Sequence, residues 1–109
     1  MSAQNTFIDV QRCLTEADQP GLAIKIQTEF YELNVVLETS EIEQLAKVRA
    51  ADWSRGSVRA GLSAGSAVFW SCDGKSTFIA VGYDDETWDF GVTLPLAAFD
   101  EIMAGLVEA

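Results

Sequence analysis

The chain has 109 residues, a length that suits one domain. Lysine and arginine number 7 against 17 aspartates and glutamates, a formal charge of −10, while 49% of the residues are hydrophobic. So much apolar content excludes a disordered tail, and the sign of the charge argues against nucleic acid or an anionic membrane surface as a partner.

The chain lacks histidine, which removes the usual proton shuttle near neutral pH and the commonest metal ligand. Cys13 and Cys72 form no CxxC pair, and two thiols without histidine cannot build a structural zinc site. They read as reduced, buried thiols. No cofactor or metal is expected. No segment approaches the ~18 consecutive apolar residues of a bilayer span. The first residues show neither the positive charge nor the apolar run of a secretory signal, so the expected setting is the cytoplasm.

In chain order, residues 6–14 fit both periods. Phe7, Val10 and Leu14 have helical spacing, whereas Ile8, Val10 and Leu14 share one strand face. The turn signal at Ala17-Asp18-Gln19-Pro20-Gly21 decides for a strand. Leu22, Ile24 and Ile26 then alternate with Ala23, Lys25 and Gln27, after which the apolar parity flips to Tyr31, Leu33, Val35 and Leu37. Gln27-Thr28-Glu29 lacks the usual turn residues, which predicts a bulge or bend in preference to a tight hairpin. Ser40 with Glu43 has capping-box spacing and predicts a helix ending before Gly56, with Ile42, Leu45, Ala46, Arg49 and Trp53 along one stripe.

Residues 57–62 predict a weak strand. The runs 67–72 and 77–83 predict a hairpin across Asp73-Gly74, and 87–94 alternates with Trp88, Phe90, Val92 and Leu94 on one face. Pro95 opens a final helix whose stripe is Leu96, Phe99, Ile102, Met103 and Leu106. The expected fold is α+β: an antiparallel sheet of about five to six strands with two helices mainly on one face.

The central hairpin is apolar on both sides. Val68 and Trp70 face one way, Ala67 and Phe69 the other, and Phe78 opposes Ile79 and Val81. Leaving ~400 Å² of such surface bare would cost about 10 kcal/mol. That cost predicts a cover: the N-terminal strands laid across as a second layer, a second copy of the chain, or another protein or apolar ligand.

Gly61-Leu62-Ser63-Ala64-Gly65 matches the G-x-S-x-G pattern of a nucleophile elbow, but without histidine or a strand-to-helix context it reads as a loop of small residues. The densest carboxylate group, Asp84, Asp85, Glu86 and Asp89, lacks the spacing of a calcium loop. Beside Tyr83 and Trp88 it reads as an acidic recognition rim, with Phe69, Trp70 and Phe78 as further interface or pocket aromatics. The residues imply a small acidic, non-enzymatic interaction domain. It would form a homodimer through an apolar sheet face and engage a basic protein, as an inhibitor or immunity-type protein would. One alternative is a domain binding a small apolar ligand in a pocket walled by Trp53, Trp70 and the last helix. The other is an enzyme using the Asp84–Asp89 carboxylates.

Overall fold

The computed structural model describes residues 6–50 and 57–109. One antiparallel sheet of seven strands runs in sequence order: β1 (Phe7–Leu14), β2 (Pro20–Gln27), β3 (Glu32–Glu38), β4 (Val58–Ser63), β5 (Ser66–Cys72), β6 (Ser76–Gly82) and β7 (Trp88–Pro95). The helical crossover between β3 and β4 passes through 3-10 turns at Thr39–Glu41 and Lys47–Ala50 on either side of a short α1 (Ile42–Ala46). The chain ends in α2 (Leu96–Glu108). The α+β architecture is as expected, with more strands than predicted.

The added strand comes from the parity flip. Gln27 pairs with Glu32, so β2 and β3 form a true hairpin and no bulge joins them. Thr28 supplies the turn chemistry that Gly, Pro, Asn or Asp would normally supply. Its hydroxyl accepts from the amides of Phe30 (3.1 Å) and Tyr31 (3.3 Å), and its own amide donates to the Tyr31 carbonyl (2.9 Å).

The inner face holds the core. Ile24, Ile26, Val35, Leu37, Val68, Trp70 and Ile79 pack against Leu45 and Val48 of the crossover and Phe99, Ile102 and Leu106 of α2. Both helical segments therefore lie on the same face. The sheet curls so that α2 reaches β1 at one edge and β6 and β7 at the other. Gly105 lets the helix seat closely on β1, because a Cβ there would stand 2.8 Å from a methyl of Val10.

The crossover departs from its predicted pattern. Glu38, not Ser40, caps its first turn: the amide of Glu38 donates to a carboxylate oxygen of Glu41 (2.9 Å). The other Glu41 oxygen accepts from the Gly61 amide (3.0 Å), tying the cap to β4. Among the described side chains of the crossover only Leu45 and Val48 are buried, three residues apart as 3-10 winding favours, while Ala46 and Arg49 are exposed. Trp53, assigned to that stripe and to a pocket wall, lies outside the described residues.

The N-terminal strands do not lie across the central hairpin. They extend its sheet, which overturns the second-layer expectation.

Candidate recognition surface

The outer face of the sheet divides into two halves. On β1–β3 it is largely polar, with Asp9, Lys25 and Asn34 forming one cross-strand row and Phe7, Gln27 and Glu32 another, in which Phe7 is the exposed ring. On β5–β7 the rows are Phe69–Ala80–Gly91 and Ser71–Phe78–Thr93. Here the apolar side chains partly cover one another. Phe78 and Trp88 meet edge to face with ring centroids 5.4 Å apart, and both rings lie over Gly91, where a Cβ would stand 2.8 Å from either ring. Ala80 and Gly82 are buried, while Phe69 and Phe78 are half-buried. Glycine and alanine supply the flat floor that lets aromatic rings lie on the backbone.

Trp88 reaches this face through a register shift. Val81 pairs with Phe90 but Gly82 pairs with Trp88, so Asp89 is an extra residue. The bulge moves Trp88 off the side shared by Phe90, Val92 and Leu94, where strict alternation had put it.

The end of the sheet carrying the β2–β3 and β6–β7 turns collects exposed aromatics. Phe30 at the tip of the first turn is 90% exposed and Tyr83 in the second is 85% exposed. Tyr31 and Phe90 touch edge to face at 5.9 Å, joining the first hairpin to β7. Partial burial of Tyr31 pushes its phenol above the ordinary value, so it stays neutral at physiological pH. Around these rings stand Glu29, Glu32, Asp84, Asp85, Glu86 and Asp89, and residues 28–33 and 82–91 contain no lysine or arginine.

The four carboxylates of the predicted rim have separate local roles. Asp84 folds the turn, its Oδ1 accepting from the amides of Glu86 (2.9 Å) and Thr87 (2.6 Å). Asp85 accepts from the Ser57 hydroxyl (3.1 Å), which pins the turn beside β4. Glu86 and Asp89 are exposed. Among the described residues no group of three or more Cys, Asp or Glu side chains could hold a metal ion.

Trp70 is a core residue, not an interface or pocket aromatic. It is 0% exposed, its indole N–H donates to the Ala60 carbonyl (2.9 Å), and its ring meets the edge of Phe99 at 6.2 Å. That packing sets Trp70 against α2, while Trp53, the other wall expected for an apolar-ligand pocket, lies outside the described residues. Tyr83, Trp88, Phe69 and Phe78 do reach the surface, the last two only in part.

The sequence reading missed Phe30, Tyr31 and Phe90. Two adjacent aromatics at a parity flip were the available signal, because residues that leave the alternation belong to neither sheet face. Both cysteines are free: Cys13 is half-buried, and Cys72 is buried with its sulfur 3.3 Å from the Thr77 hydroxyl. No described helix is long and apolar enough to cross a membrane. No family model, curated protein or solved structure gives a significant match to the chain.

Proposed function

We propose that the chain is a non-enzymatic interaction domain that docks a basic protein on the outer face of β5–β7 and the adjoining aromatic end. The observation that carries this reading is the coincidence of exposed rings and carboxylates there, with no cation among residues 28–33 and 82–91. Exposed aromatics supply the buried anchors of an interface, and a field of one sign speeds encounter with an oppositely charged partner. A basic inhibitor target, such as a nucleic-acid-binding protein or enzyme, has the matching surface. A homodimer through this face would bring two sets of like charges together, which favours the basic partner over a second copy. Free thiols suit a cytoplasmic setting.

The test is site-specific photo-crosslinking in cells, with the photoreactive residue placed at Tyr83 or at the exposed Gln11 on the polar half. The reading predicts an adduct to a protein of net positive charge from position 83 and none from position 11. Crosslinking of a second copy, an acidic partner, or equal yields from both positions would overturn it.

A further inference from the structure

On the outer face of β5–β7 a half-open cleft of about 290 Å³ lies beside the Phe78–Trp88 pair. The two rings stand at 68° to one another. Asp73, Ser71, Ser76 and Thr93 supply its polar groups. Resting on the docking reading above, we infer that this cleft receives the guanidinium of an arginine presented by the basic partner.

Three independent features point to that occupant. The first is the pair of ring walls, since a planar cation is attracted to the faces of tryptophan and phenylalanine. The second is Asp73. Its Oδ1 accepts from the amides of Lys75 (2.9 Å) and Ser76 (2.8 Å), and these bonds hold its carboxyl below the ordinary range, so it stays anionic at neutral pH. Its Oδ2 takes no hydrogen bond from any described residue.

The third feature is Ser71. It borders the cleft with Ser76 and Thr93 and stands in register with Phe78 and Thr93 on the outer face. Hydroxyl oxygens placed there can accept from a donor arriving in the cleft. Guanidinium carries five N–H donors and accepts none, which matches a carboxylate and hydroxyls better than a carbonyl or anion would. The size also fits, because the cleft suits one side chain, not a folded ligand.

The experiment titrates the full chain with N-acetyl-arginine methylamide and follows backbone amide shifts by NMR. N-acetyl-citrulline methylamide, uncharged and of the same shape, serves as the control. Saturable shifts confined to residues 71–78 and 88–93 are expected, at least about fivefold weaker with the citrulline derivative and with Asp73→Asn, the equivalent of ~1 kcal/mol. Asp73→Asn keeps the oxygen that folds the turn and removes only the charge, so an unchanged spectrum elsewhere shows that the variant is folded. Trp88→Leu removes the larger wall and is expected to abolish the saturable shifts.

Equal affinity for the citrulline derivative, or shifts spread over the whole acidic surface, would overturn the inference. It is also overturned if the crosslinked partner binds the Asp73→Asn and wild-type chains equally, an outcome that leaves the docking reading intact. Arginine binding in the cleft with no basic partner captured at position 83 would instead remove the docking reading and keep the cleft.

Discussion

The two halves of the sheet share one core but treat solvent differently. Strands β1–β3 carry buried aliphatic residues inside and mostly polar ones outside, the alternation of a sheet with one wet face. Strands β5–β7 are apolar on both faces, and their outer face is partly sheltered by its own rings lying on Ala80, Gly82 and Gly91. A strand that looks greasy front and back therefore need not carry a second protein layer: small residues beneath large rings lower the exposed apolar area within one sheet. What remains exposed sits at the edge of that half, at Trp88, Phe90 and Tyr83, with Phe30 brought alongside by the Tyr31–Phe90 contact.

The seam between the halves is the most sensitive place to break this arrangement. β3 and β4 pair only at Val36 and Leu62, and Gly61 beside that pair has φ +88°. A Cβ at Gly61 would stand 2.6 Å from Val35 and 2.8 Å from Leu37. Gly61→Ala is expected to cost about 3 kcal/mol, the sum of left-handed strain and overpacking, read as a lower urea midpoint at constant slope. A loss under ~1 kcal/mol would show that the seam relaxes freely.

Next comes a direct contrast of the two outer faces. At Gly82 a Cβ would meet the Cα of Trp88, and backbone cannot swing aside as a side chain can. Gly82→Ala should cost about 2 kcal/mol, whereas Ala23→Ser on the other half should stay within about 0.5 kcal/mol of wild type. Equal effects in thermal unfolding would erase the distinction.

The smallest effect is a gain. Ala64 and Gly65 form the β4–β5 turn, both with positive φ, and Ala64 at 50° is strained where glycine would not be. Ala64→Gly is expected to stabilise by about 0.5 kcal/mol, the left-handed penalty less the greater chain entropy of glycine. A lower Tm would contradict this.

Much of the architecture was legible because period-2 patterns survive wherever one face is buried. The clean alternation of Leu22–Ile26 and the Asp73-Gly74 turn both correspond to observed structure. What eluded the sequence came from local events that break the period. Thr28 closes a hairpin with a side-chain hydroxyl, and the bulge at Asp89 turns Trp88 to the other face. In the candidate site, Asp84, Asp85, Glu86 and Asp89 were identifiable from charge density alone. Phe30 was not, since the approach of its hairpin to Phe90 depends on how far the sheet curls. Trp70 looked the same as Trp88 from sequence; Trp70 lies on the face that α2 covers, whereas the bulge at Asp89 turns Trp88 to the other one.

The most direct test of the central claim is the association rate of the partner captured at Tyr83, measured against ionic strength for the wild-type chain and for Phe30→Ala/Trp88→Ala. The account predicts a wild-type on-rate that falls steeply with salt, and a double variant with a similar salt slope but at least tenfold faster dissociation, from loss of two anchors at ~1 kcal/mol or more each. An on-rate indifferent to salt, or a dissociation rate untouched by removal of both rings, would contradict it.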